Sequence, residues 1–195
     1  FSYAIEDKSY MQIFLPYESY IDKLNIQPVP IIFPQFHIIP ENNKFWSDGF
    51  TEWTMLNKVT HNYLGNKLLT PHKDLGQYDI MDEKYLSNTS SLMKEHLINT
   101  VIYYHYWFKG RKVMWKPIEN IRDTKKPNVN FVLAWANETW SSRWDGQENQ
   151  ILLKQDYGIL DDWIQHIEYL LTFFKATNYV IINNKPLFYI YRPLD

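Results

Sequence analysis

Four short apolar runs, separated by stretches of helical periodicity, organise this chain. The first, V-P-I-I-F-P-Q-F-H from Val29 to His37, reads as a buried strand that Pro34 ends or bulges. The second, T-V-I-Y-Y-H-Y-W-F from Thr100 to Phe108, is β-branched and aromatic and stops at Gly110. N-F-V-L-A-W-A, Asn130 to Ala136, is the third. P-L-F-Y-I-Y-R, Pro186 to Arg192, is the fourth, entered through an Asn183–Asn184 turn. Between the runs, Asp82 is placed to cap a helix whose stripe runs Tyr85, Leu86, Thr89, Leu92, Met93, His96, Leu97. A weaker helical or turn segment spans Lys116 to about Asp123. Asp161 or Asp162 caps the clearest helix, with Trp163, Ile164, Ile167, Leu170, Leu171 and Phe174 as its apolar face. The passage from Glu41 to Asp79 is polar and aromatic without such a period, and is expected to be loop. Residues 1–28 read as a linker or the end of a preceding segment.

Buried strands without strict alternation, spaced by helices, predict parallel βα units and an α/β fold. Two architectures fit: part of a (β/α)8 TIM-type barrel, or a small doubly wound sheet. Neither G-x-G-x-x-G nor G-x-x-x-x-G-K-[ST] occurs, so the nucleotide-binding version lacks its phosphate fingerprint. The roughly 165 residues after the linker fall short of the ~200–400 of a whole barrel. The expectation is the first four βα units, an N-terminal half spanning residues 29–195.

Composition narrows the function classes. A formal charge of -2 over 195 residues gives no general electrostatic reason to bind nucleic acid. No cysteine is present, which excludes disulfides and thiolate chemistry but leaves the compartment open, with the cytoplasm as default. No apolar run is long enough to span a bilayer. The chain opens on Phe1 rather than methionine, consistent with an upstream signal cut away. The aromatics are more telling: fifteen tyrosines and eight tryptophans supply flat apolar faces with polar handles, suited to sugars as well as to cores.

In both parallel architectures chemistry gathers where strands end. That rule selects Gln35 and His37 after the first strand, His105, Tyr106 and Trp107 at the second, and Trp135, Asn137, Glu138 and Trp140 at the third. The loops carrying Glu52–Trp53 and Arg143–Trp144–Asp145 belong to the same end. Breaking a glycosidic bond needs carboxylates to stabilise and protonate, and aromatic faces to hold the ring. Glu138, flanked by tryptophans, is the candidate catalytic carboxylate; its rival roles are pairing with Arg143 or capping the next loop. His105 faces either the interior or the helical layer, and Trp135 is either core or platform. His37 either binds substrate or satisfies a backbone carbonyl, and Asp145–Gly146 is also a good turn pair. His61 and His72 lack metal-ligand spacing, and G-x-S-x-G is absent; no metal and no cofactor is expected.

F-P-Q-F-H-I-I-P-E-N, G-F-T-E-W, P-H-K-D-L-G-Q-Y-D, Y-Y-H-Y-W-F-K-G, W-A-N-E-T-W-S-S-R-W-D-G, Q-D-Y and K-P-L-F-Y-I-Y-R-P occur in that order. The series resembles the WbsX-type glycosyltransferase family, which is similar to the family-99 glycoside hydrolases, the endo-α-mannosidases. It covers about residues 29–193. The resemblance implies a (β/α)8 barrel acting on a glycan or sugar-nucleotide substrate, often in polysaccharide assembly. It implies sugar-site positions for Gln35, His37, Glu52, Trp53, Tyr106, Trp107, Asn137, Glu138 and Arg143. The family's best-supported catalytic carboxylates lie in a later N-E-W-x-E-G motif that this chain does not contain. Asn99–Tyr106 also departs from the family, with Val101–Ile102 where a glycine-containing G-F is usual. An endo-α-mannosidase-like hydrolase and a non-catalytic glycan-binding module remain the alternatives.

Overall fold

The computed structural model describes residues 27–59, 71–141 and 151–194. The expected linker at residues 1–28 falls almost entirely outside them. Four strands form a parallel sheet in the order β1 (Ile31–Ile32), β2 (Thr100–Phe108), β4 (Asn130–Trp135), β9 (Phe188–Ile190). Strand order follows chain order without the reversal of a doubly wound sheet. The arc does not close among the described residues. β3 (Arg111–Val113) folds back antiparallel on β2 through Lys109 and Gly110, both at positive φ, as a tight hairpin demands. Two ribbons stand apart: β5 (Trp140–Ser141) with β6 (Ile151–Leu153), and β7 (Ile181–Ile182) with β8 (Lys185–Pro186). Asn183 and Asn184 turn the second ribbon in the left-handed region, as their pairing in sequence predicts.

Three helices cover one face of the sheet. Met93 of α3 (Glu83–Glu95), Ile118 and Ile121 of α4 (Trp115–Thr124), and Leu170 and Phe173 of α5 (Leu160–Phe174) meet Val101, Tyr103, Phe131 and Leu133. Phe131 and Leu133 are completely buried, and each such side chain contributes roughly 1.5–3 kcal/mol by leaving water. The Tyr179 hydroxyl donates to the Leu187 carbonyl at 2.7 Å and accepts from the Leu133 amide at 3.3 Å, joining β4 to the approach to β9. On the opposite face Tyr106, Phe108, Val113 and Ala136 form a smaller cluster with Ile39 and Trp140.

The caps refine the sequence reading. Asp82 accepts from the Lys84 and Tyr85 amides and starts α3 as predicted. At α5 the helix begins at Leu160, before either aspartate; Asp162 instead reaches back to the Ile159 amide at 2.8 Å. Gly158, at φ +66°, makes room for this, since a Cβ there would lie 2.1 Å from the Asp162 carboxylate. The passage expected as loop contains two short helices, α1 (Pro40–Phe45) and α2 (Glu52–Lys58). The first strand is only two residues long, ending before Pro34.

No helix is long and apolar enough to cross a membrane among the described residues.

Candidate functional site

Alternation along β2 and β4 decides what reaches the working end. On β2, Tyr104, Tyr106 and Phe108 lie on the face away from the helices, while Tyr103, His105 and Trp107 point into the helical layer. On β4, Trp135 shares the helical side with Leu133.

Past the carboxyl ends of β1, β2 and β4, on the side opposite α3, α4 and α5, lies a cavity of about 520 Å³. Its aromatic wall comprises Phe33, Phe45, Trp46, Tyr106 and Trp140, and its polar wall Gln35, Asn42, Glu138, Thr139 and Ser141, with Leu152 of β6 at the rim. Trp140 meets the Tyr106 ring edge-on, centroids 5.2 Å apart. Aromatic faces beside hydrogen-bonding groups are the surface a sugar ring presents a match for, since its C–H faces are apolar and its rim is polar. Burial raises the Tyr106 hydroxyl well above its ordinary range, with Tyr104 and Glu138 adding to it, so it stays a neutral hydrogen-bonding group at any ordinary pH.

Glu138 and Glu52, the two carboxylates named from the sequence among the described residues, are placed differently. Glu138 lines the cavity and pairs with Arg192, beyond β9, at 3.3 Å. Glu52, the first residue of α2, accepts a short hydrogen bond from the Gln35 amide. Burial raises the Glu52 pKa, and the Gln35 bond opposes the rise. Gln35 itself lines the cavity, so Glu52 acts on that wall through it.

The remaining predicted residues are placed elsewhere. Trp53 is wedged against Phe36 and Tyr78, and its indole N–H donates to the Tyr78 carbonyl at 2.6 Å, so it fastens the G-F-T-E-W segment to D-L-G-Q-Y-D. His37 is 2% exposed and does not line the cavity; burial lowers its pKa, Asp79 opposes this and Lys116 adds to it. His105, Trp107 and Trp135 point away from the cavity. The His105 and His166 Nε2 atoms lie 2.8 Å apart, the Trp107 ring stacks on His166, and Trp135 meets it edge-on. Asn137 is 2% exposed with its amide spent on protein: Nδ2 donates to the Tyr157 hydroxyl and the Arg192 carbonyl, and Oδ1 accepts from the Arg192 amide. Arg143 and Asp145 lie outside the described residues.

Cavity residues absent from the strand-end reading are Phe33, Asn42, Phe45, Trp46, Thr139, Ser141 and Leu152. Asn42, Phe45 and Trp46 come from α1 and its end, which lacks a periodic signal; the F-W pair beside P-E-N was the available hint. Among the described residues no cluster of three or more His, Asp or Glu side chains could hold a metal ion.

Residues 28–195 match the family described as Glycosyltransferase WbsX. A protein of Xanthomonas campestris pv. campestris strain ATCC 33913, described as uncharacterized protein WxcX, is 31% identical over 190 residues. The match covers 97% of this chain and 26% of that protein. Its counterpart in strain B100 is 32% identical over 165 residues, 85% of this chain and 24% of that one. The chain thus spans about a quarter of the length of these relatives. No solved structure matches it. By the family match along 168 of its residues, from 28 to 195, the chain belongs to the WbsX glycosyltransferase family.

Proposed function

We propose that this chain forms the sugar-binding half of a carbohydrate-active enzyme of glycosyltransferase type, working in glycan or polysaccharide assembly. The observation that carries the reading is the aromatic-walled cavity at the strand ends with Glu138 in its polar wall. A neutral ring lies against Tyr106, Trp140 and Trp46, and its hydroxyls exchange hydrogen bonds with Gln35, Glu138 and Thr139. Glu138 is the carboxylate available to exchange a proton there, with the Arg192 guanidinium beside it at 3.3 Å.

The fold belongs to the same proposal. A singly wound arc of four parallel strands with the three long helices α3, α4 and α5 on one face has the pattern of half a (β/α)8 barrel. Both edges of the arc carry exposed apolar residues, Ile31 and Phe33 at one and Tyr189, Ile190 and Tyr191 at the other. An edge strand presents unpaired backbone N–H and C=O groups, so these edges suit neighbouring strands.

The test is turnover of oligosaccharides, with and without sugar nucleotides, in the full-length protein. Transfer that depends on a nucleotide donor is the expected result. Release of reducing ends without nucleotide would instead establish a hydrolase. Binding without turnover would leave a glycan-binding module.

A further inference from the structure

Asn137 stands where the β4–β9 ladder runs out. The last strand-to-strand bonds pair Trp135 with Ile190, and the Tyr191 amide donates to the Trp135 carbonyl at 3.0 Å. One residue further, β4 and β9 have no backbone ladder. The Asn137 side chain takes its place, donating to the Arg192 carbonyl at 2.8 Å and accepting from the Arg192 amide at 2.8 Å. An amide group reproduces the donor and acceptor of a backbone unit, so it extends the ladder by one step.

The remaining Asn137 amide hydrogen goes to the Tyr157 hydroxyl at 3.0 Å, and that hydroxyl donates to the Asn137 carbonyl at 3.1 Å. Tyr157 is held in turn by Trp163 of α5, stacked at 6.0 Å, and by Trp135, edge-on at 5.7 Å. Both Asn137 Nδ2 hydrogens and its Oδ1 are therefore engaged by protein groups.

Glu138 follows Asn137 directly, and its partner is the side chain of the very residue whose backbone Asn137 grips. The Glu138–Arg192 pair is close to half exposed at both ends, and an ion pair so exposed cannot by itself hold two long side chains in one geometry. The buried amide clamp can, because it fixes both backbones from which they spring.

We infer that Asn137 is a positioning residue: acting through Arg192, it sets the direction in which Glu138 faces the cavity and does not itself touch substrate. This rests on the cavity being the sugar site. It also separates two adjacent residues of the W-A-N-E-T-W motif into different tasks, support for Asn137 and ligand contact for Glu138.

A double-mutant cycle tests it. An array of neutral manno-, gluco- and galacto-oligosaccharides identifies the best-bound glycan, and calorimetry measures its affinity for wild type, Glu138→Gln, Asn137→Ala and the double variant. Asn137→Ala is expected to weaken binding roughly tenfold in the wild-type background and hardly at all once Glu138 is Gln, a coupling usual for residues of one network. Tyr157→Phe, which keeps the ring and removes only the hydroxyl, is expected to give a smaller loss with the same dependence on Glu138, and it serves if Asn137→Ala does not fold. Equal losses in both backgrounds overturn the inference while leaving the cavity reading intact, as does a Glu138→Gln variant that binds like wild type. A wild-type protein that binds no member of the array removes the sugar-site reading and this inference with it.

Discussion

Acidification should destabilise this protein through the His105–His166 pair. The two rings join β2 to α5 by a single Nε2–Nε2 hydrogen bond of 2.8 Å, and the residues are 1% and 3% exposed. Such a bond needs one nitrogen protonated and the other bare; two imidazolium rings would face each other N–H to N–H. The surroundings supply rings rather than charge: Trp107, Trp135 and Tyr169 pack on the pair. The charged groups near His166 are Lys109, Asp156 and Asp162 around a small gap by its ring, and Glu119 stands behind the Tyr169 hydroxyl. Burial pushes His166 down to about 4, and burial followed by repulsion from His166 pushes His105 well below its ordinary value. Above pH ~6.5 neither the folded nor the unfolded chain is protonated at these sites and they leave stability unchanged. Below it the unfolded chain takes up protons that the folded chain refuses, so stability falls as pH drops towards the folded values. At ~1.4 kcal/mol per pH unit, His166 alone costs about 2 kcal/mol between pH 7.5 and 5.0, and His105 adds in the same direction. His37, also lowered by burial, adds in the same direction. Urea unfolding followed by tryptophan fluorescence at pH 7.5, 6.5, 5.5 and 5.0 measures this. His166→Gln, which can still hydrogen-bond His105 but does not titrate, should flatten the slope by the His166 share, about 2 kcal/mol over this range. A wild-type stability constant within ~0.5 kcal/mol from pH 7.5 to 5.0 would falsify the reasoning, since a difference of ~2 kcal/mol or more is demanded by linkage.

Three further substitutions probe the frame around the cavity. Tyr179→Phe strands the buried Leu133 amide and the Leu187 carbonyl, and should lower unfolding free energy by about 1–3 kcal/mol in a denaturant titration. Asp82→Ala removes the acceptor of two orphan amides at the start of α3, with a loss of ~1 kcal/mol expected in the same assay; no change would mean that solvent caps the helix equally well. Gly158→Ala puts a Cβ into the Asp162 carboxylate at a positive φ, and thermal melting should drop by several degrees, consistent with a backbone penalty of roughly 1 kcal/mol or more.

Much of the fold was legible along the chain. The second strand runs from Thr100 to Phe108 as its β-branched and aromatic run indicates, and Asp82 caps α3 where its spacing places it. Those signals are local, because a strand or a cap depends on residues adjacent in sequence. α1 and α2 were not legible: at six and seven residues they are too short to carry a period, and distant contacts hold them, Trp53 to Tyr78 and Arg111 to the Glu41 carboxylate at 2.8 Å.

The site divides in the same way. Strand ends pointed to Gln35, Tyr106, Glu138 and Trp140, all of which line one cavity. They pointed as well to His105, Trp107 and Trp135, which the structure turns into the helical layer. A parallel strand covered on both faces is apolar on both, so alternation along it tells that neighbours face opposite ways but not which face is the working one.

By itself, then, the sequence determined the strand and helix grammar, the α/β class and the family, because each depends on local periodicity or on motif order. Only the tertiary structure decided which side of β2 and β4 meets the cavity, that Asn137 is spent on the Arg192 backbone, and that Glu138 is partnered by Arg192 across 54 positions of chain (192 less 138). Those facts follow from which surface the helices cover and how β9 docks beside β4, and no stretch of residues read alone contains either.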